Sequence, residues 1–275
     1  MANEISVLSF VRGRPEDAEY VLLPFFFESK PLSDAQAPKW GMTILKAGSM
    51  RFRWNEQNKN RSKISEFFPQ KEQVPIELIH SKSVVLAEKA SDTEGIQADG
   101  IVTRNKNLLP TVTVADCMPI FLFDTVSQAI GVFHSGWKGT GIVAEGISLM
   151  QKEFGSNPQD IAAAIGPHIG DCCYFVDKER AEYFAATFGK KSVVINNEKN
   201  ALSLTEANLF VLKNAGIKEE NITIATDCTC CTKLQNGKNA FGSFRREAAF
   251  LSGNLDNEAR NRKMTVQAAF CGYTS

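Results

Sequence analysis

Histidine is scarce in this chain of 275 residues: only His80, His134 and His168 are present. Net charge is absent too, with 31 basic residues set against 31 acidic ones. That balance excludes the basic excess of a general nucleic-acid binder but leaves room for a small anionic ligand. Long apolar runs are missing, so no segment reads as a bilayer-spanning helix and no membrane partner is expected. The opening "MANEISVLSFVRGRPEDAEY" has no basic start followed by an apolar run and does not read as a secretory signal. A cytoplasmic location is the expectation. The seven cysteines then count as reduced thiols, and their odd number fits a disulfide framework poorly. Low-complexity segments, internal repeats and an obvious linker are also lacking. A single domain over 1–275 is expected, long enough to bury a large core.

What is present is a clear run of elements from Val74 onward. Before it, "YVLLPFFFESK" reads as a buried strand, "PLSDAQAPKWG" as loop and "NEQNKNRSKISEFF" as a helix leading out of a turn. "VPIELIHSKSVVLAE" suggests paired strands turning near Ser81 and Lys82. "LPTVTVADC" and "PIFLFD" are rich in strand-forming residues, and "TVSQ" is a hairpin turn. "AIGVFHSG" is nearly all apolar, as for a strand buried on both faces. "TGIVAEGISLMQKEFG" has helical spacing and stops at Gly155. Strands ("IAAAIGP", "KSVVIN", "NITIATD", "MTVQAAFC") and helices ("DKERAEYFAATFG", "LTEANLFVLKNAG") then mix without a strict βαβ rhythm. The expectation is α+β, with a mixed sheet or sandwich covered by helices.

Chemistry concentrates where apolar strands meet polar turns. Cys117 ends "TVTVADC", and His134 ends "AIGVFH" just before the glycine-rich "SGWKGTG". A hairpin around "DTVSQ" would set these two side by side. Three readings stand: a buried thiol beside a structural histidine, a Cys–His nucleophile pair, or a metal site. The metal reading needs a third ligand, and His80, at the end of "PIELIH", is the natural candidate. Zinc accepts imidazole and thiolate, and a catalytic zinc keeps three protein ligands and one open position, where a water would become acidic enough to attack at neutral pH.

"TVADCMPIFLFD", "AIGVFHSGWKGTG", "IAAAIGPHIGDCCYFV" and "FGSFRRE", in that order, resemble the laccase-domain (YfiH-like) family of zinc-dependent purine nucleoside phosphorylases, formerly described as polyphenol oxidases. The resemblance covers roughly residues 74 to 275, while residues 1–70 diverge, lacking the "GGVS"-like and "SLN" segments. It implies a layered α/β/β/α fold with a mixed central β-sandwich flanked by helices. It also implies zinc ligands at His80, Cys117 and His134. The activities it implies are phosphorolysis of adenosine, inosine, guanosine or methylthioadenosine to free purine and ribose 1-phosphate, and adenosine deamination. Some members are peptidoglycan-editing factors, so a Cys–His hydrolase or a cell-wall-precursor editing factor is the alternative; a metal-binding partner without catalysis is a third reading. Copper would occupy the same site only adventitiously, because three histidines are too few for the several centres of a multicopper oxidase.

Phosphorolysis needs an anion site. The glycines around Lys138, followed by a helix start, suit one, and Arg245 or Arg246 could grip phosphate bidentately, with strand alternation turning only one of them inward. Asp116 could orient a ligand, act as a base or simply bond backbone. Trp137 could wall the pocket or pack, and His168 reads as structural. Cys228, Cys230 and Cys231 in "DCTCC", with Cys172 and Cys173, read as buried thiols, since adjacent cysteines do not readily serve one ion. Preferred nucleoside and oligomeric state are left open.

Overall fold

The computed structural model describes residues 4–33, 37–196, 198–251 and 256–274. Two mixed sheets form its centre. The larger has seven strands in the order Ser6–Leu8, Ile222–Ala225, Ile161–Ile165, Met118–Asp124, Ile130–Ser135, Gly100–Thr103 and Val84–Leu86. The smaller has five: Tyr20–Pro24, Lys39–Thr43, Gln267–Gly272, Leu108–Val114 and Glu72–Pro75. Strand residues alternate sides of a sheet, and here both sides of the larger sheet must be apolar. Along Met118–Asp124, Phe121 and Phe123 face the smaller sheet, sharing one core with its Trp40, Val112 and Ala269, and the Phe121 ring meets Trp40 at 5.3 Å. Ile120 and Leu122 point the other way, toward the helices Ile142–Phe154, Lys178–Phe188 and Leu204–Asn214. A third apolar layer joins the outer face of the smaller sheet to the helix Ser62–Phe67 through Ile64, Phe68, Leu109 and Phe270. The result is the expected α/β/β/α stack. Each fully buried Phe contributes about 1.5–3 kcal/mol to holding it together.

Helix ends follow their local sequence. Gly155 closes its helix at φ 68°, in the left-handed region where glycine carries no steric cost. Asp177 and Ser203 open theirs by accepting from the N–H of Arg180 and Glu206. The ring of Phe133 occupies the space that side chains at Gly100, Gly131 and Gly146 would fill. It therefore seats the Ile142–Phe154 helix directly on the strand that carries His134.

Four expectations are corrected. "PLSDAQAPKWG" is not loop throughout: Lys39–Thr43 is a strand paired with Tyr20–Pro24 and buries Trp40, while residues 34–36 lie outside the described residues. "VPIELIHSKSVVLAE" is not a hairpin: Glu72–Pro75 pairs in parallel with the Leu108–Val114 strand, and Val84–Leu86 pairs in parallel with Gly100–Thr103 in the other sheet. The chain crosses between the sheets there, because each apolar run is buried in a different layer. "YVLLPFFFESK" breaks into Tyr20–Pro24, which is buried on alternate residues only, and the two-residue Phe26–Phe27. "SFRRE" is a helical turn, Phe244–Glu247, capped by Ser243, so strand alternation does not apply to its arginines. Among the described residues no helix is long and apolar enough to cross a membrane.

Candidate metal centre

The hairpin between Met118–Asp124 and Ile130–Ser135 forms as the sequence suggests, with Pro119 opposite His134 and Met118 opposite Ser135. Cys117 lies one residue before this pairing starts, so its side chain meets His134 at the open end of the hairpin. His80 arrives from the crossover between the sheets. The Cys117 Sγ and one ring nitrogen of each histidine all lie within 4.8 Å of one another, and the two rings meet edge to face at 4.9 Å. His134 is buried, Cys117 half-buried and His80 exposed, so the cluster opens to solvent on the His80 side. Gly136 makes the approach feasible, because a Cβ there would come within 2.9 Å of the Cys117 sulfur.

Two non-glycine residues beside the cluster hold left-handed backbone: His80 at φ 59° and Asp116 at φ 80°. Such conformations cost about 1–2 kcal/mol and persist where surrounding contacts impose them. At His80 that contact is Asp99, which sequence reasoning missed. Asp99 Oδ1 accepts from the His80 N–H (2.9 Å) and faces His134 Nδ1 at 3.0 Å. Oδ2 accepts from the Ser81 N–H (2.6 Å) and Ser81 Oγ (2.7 Å), and the Asp99 carbonyl accepts the His134 N–H at 2.7 Å. One fully buried carboxylate therefore fixes both histidines. The only sequence signal was an acid, in "QADGIV", at the mouth of an apolar strand.

The charges follow from this geometry. Burial alone would raise the Asp99 pKa, but the bonds from His134 and Ser81 hold it below the usual carboxylate value. Burial opposes charge on Cys117 as well, yet His134 and His80 bring its thiol down to about 6. His134, against the same burial penalty, is held up at about 10 by the Cys117 thiolate and Asp99. In metal-free protein near neutral pH the pair is thus thiolate and imidazolium. With Nδ1 engaged by Asp99, the other nitrogen of His134 is left for the cluster. Two imidazoles and a thiolate converging from three directions, oriented by a carboxylate behind them, suit a zinc ion with one open position. The same donor set also attracts copper.

The remaining singled-out residues divide. Asp116 is buried and accepts from Thr229 Oγ1 (2.7 Å), Ser243 Oγ (3.0 Å) and the Arg245 N–H (2.6 Å). Burial outweighs those bonds and raises its pKa. It ties the loop before Cys117 to two distant segments. Both terminal nitrogens of Arg245 donate to the Phe175 carbonyl at 3.1 Å, and its guanidinium lies 5.5 Å over the Tyr174 ring. Arg246 donates to the Thr229 and Cys230 carbonyls and to Glu247, so its guanidinium is engaged in joining loops. Lys138 is exposed, with its ammonium 5.5 Å from the Trp137 ring, whose face also carries Arg180 at 4.4 Å. Tyr174 is pushed up to about 12, chiefly by burial, with the Cys117 charge adding to it. His168 is buried with both ring nitrogens bonded, to the Gly166 carbonyl and Thr205 Oγ1, and burial lowers it to about 4.

The reading of the other cysteines as buried thiols is corrected. Cys172, Cys173, Cys228 and Cys231 bring their sulfurs within 4.8 Å of one another, and two of them are exposed. The tight turn Gly170–Tyr174 directs adjacent residues 172 and 173 to one point, which a sequence spacing rule does not anticipate.

The family model described as "Multi-copper polyphenol oxidoreductase laccase" matches residues 55–255. The chain belongs to this family. Its relatives carry other names. "Purine nucleoside phosphorylase YlmD" of Bacillus subtilis is 36% identical over 154 residues, 54% of each chain. The protein of the same name from Geobacillus stearothermophilus is 32% identical over 204 residues, 68% of this chain and 73% of that one. "Adenosine deaminase RL5", from an unknown prokaryotic organism, is 33% identical over 155 residues, 54% of this chain and 58% of that one. The alignment thus spans about half the length of the first of these relatives. Among solved structures, Geobacillus YlmD superposes with a TM-score of 0.76 over 98% of this chain and 100% of its own, at 23% identity, a likeness of fold. Bacillus licheniformis YfiH gives 0.71 at 27% identity, over 86% of this chain and 92% of its own.

Proposed function

We propose that this protein is a zinc-dependent purine nucleoside phosphorylase acting in the cytoplasm on a nucleoside and phosphate, with adenosine deamination as a second activity of the same centre. The observation that carries the reading is the convergence of His80, Cys117 and His134, locked from behind by Asp99 and open toward solvent. These three residues would hold the metal. When bound, zinc supplies a Lewis acid that polarises an oxygen ligand and lowers the pKa of water. Asp99 keeps the His134 ring in the one tautomer and orientation that faces the centre. Lys138, exposed on the glycine-rich loop beyond His134, supplies positive charge for phosphate without being tied to a carboxylate in the described contacts. Trp137 offers an aromatic edge for a purine. Arg245 and Asp116 act one step behind, holding the Phe175–Tyr174 wall and the Cys117 loop in register, with Arg246 bracing the Thr229–Cys230 loop.

Incubation with adenosine and phosphate, followed by mass spectrometry for ribose 1-phosphate, free purine and inosine, tests this directly. Phosphate-dependent ribose 1-phosphate, lost on chelation and restored by zinc, is the expected result. Activity on neither route with a fully metallated protein would remove the proposal. A second reading has its own observation: Cys117, His134 and Asp99 also form a thiolate–imidazolium–carboxylate series of the kind that serves nucleophilic catalysis. Such a Cys–His hydrolase, or an editing factor for cell-wall precursors, would work after complete metal removal and would be killed by thiol alkylation.

A further inference from the structure

The second cysteine cluster lies apart from the His80 centre and has no part in the function proposed above. We infer that Cys172, Cys173, Cys228 and Cys231 form a structural metal site for a single thiophilic divalent ion, best suited to zinc. Three observations converge. The first is spacing. Zinc–sulfur bonds of about 2.3 Å put the sulfurs of a tetrahedral site about 3.8 Å apart. The Cys172 and Cys231 sulfurs are 3.7 Å apart, and all four lie within 4.8 Å of one another. Polynuclear iron–sulfur centres spread their cysteines around a larger core of iron and sulfide, so this arrangement has room for one ion only.

The second observation is support behind the ligands. The Gly170 N–H donates to the Cys228 sulfur at 3.2 Å, a bond that fixes a ligand and spreads thiolate charge. The guanidinium of Arg246 donates to the carbonyls of Thr229 and Cys230, bringing positive charge to the loop that carries Cys228 and Cys231. Access is the third. Cys228 is buried, Cys173 half-buried, and Cys172 and Cys231 are exposed, so the ion has both a dry floor and an entry path.

The site would staple two loops that otherwise have little regular structure. One, residues 170–175, carries Tyr174 and the Phe175 carbonyl that Arg245 grips. The other, residues 227–231, carries Thr229, which bonds Asp116 beside Cys117. A metal here would fix the walls around the first centre without entering it.

The test is metal stoichiometry of the full chain, expressed with zinc and measured by elemental analysis and native mass spectrometry. The expected wild-type content is about two ions per chain. Cys172→Ser/Cys231→Ser should lose one and keep the other, while His80→Ala/His134→Ala should show the complementary loss. Should the cysteine variant fail to fold, the histidine variant loaded with cobalt(II) still decides: it should show tetrahedral d–d bands and strong thiolate charge transfer from a site of sulfur alone. One ion per wild-type chain with none left in the histidine variant, or recovery of these cysteines as disulfides in metal-replete protein, would overturn the assignment.

Discussion

Replacing Asp99 with Asn should do more damage at the candidate centre than any other isosteric change. The carboxylate accepts four hydrogen bonds from three residues through its two oxygens. An amide keeps one oxygen and turns an N–H₂ toward donors. If the oxygen stays with His80 and His134, the amide N–H₂ of the buried side chain is left facing the Ser81 N–H, a half-buried donor. An unsatisfied buried donor costs about 1–3 kcal/mol, and a charge-assisted bond contributes about 1.5–3 kcal/mol. Because the Ser81 N–H is only half-buried, the lower ends of these ranges apply, and metal-free Asp99→Asn should lose about 2–3 kcal/mol in urea unfolding. The orientation of His134 is weakened at the same time, and loss of such a partner typically costs about 10–100-fold in metal affinity. The assay is competition with a chromophoric chelator, run beside the unfolding titration. Because the Asp99 carboxyl sits below its ordinary pKa, its contribution is complete above the usual carboxylate range and fades as pH falls through its lowered value. The wild-type and variant unfolding curves should thus converge in acid. Metal affinity unchanged within about threefold would show that Asp99 does not orient His134 for an ion.

Alkylation of Cys117 in chelator-treated protein should rise with pH to a plateau reached by about pH 7, reflecting a thiol near 6. His134→Ala should move the midpoint up, and zinc should abolish the reaction; a midpoint near the free-thiol value in wild type would contradict the ion pair. That pair contributes to metal-free stability over a defined window. It is largest between 6.5 and 9.0, and is lost as pH falls through about 6, where Cys117 takes up its proton, and as pH rises through about 10, where His134 gives its proton up. Gly136→Ala should cost about 1–3 kcal/mol, read by thermal unfolding, and weaken metal uptake, because its methyl meets the Cys117 sulfur at 2.9 Å. Phe121→Ala, between the two sheets, should cost about 3–5 kcal/mol in urea unfolding with no specific effect on metal affinity.

Much of the fold was legible from pattern. The apolar run ending in His134, the turn "TVSQ" and the glycine at 155 are local signals with local causes, and each element appears where its residues place it. The meeting of Cys117 and His134 was readable for the same reason, since a hairpin fixes its own register once the turn is known. His80 was reachable as a residue type at the end of an apolar run, but the route was misread. A hairpin was expected where the chain instead crosses between sheets through a left-handed residue.

The sequence by itself determined the donor chemistry: few histidines, thiols in a chain that reads as reduced, and apolar runs long enough for a layered core. Tertiary structure alone decided which donors share a point. Asp99 reaches His134 across 35 positions of sequence, and Cys172 reaches Cys231 across 59. Neither distance is encoded in a spacing, because each depends on which sheet or loop its neighbours are buried against. Burial in two separate layers, rather than proximity along the chain, brings the candidate centre together.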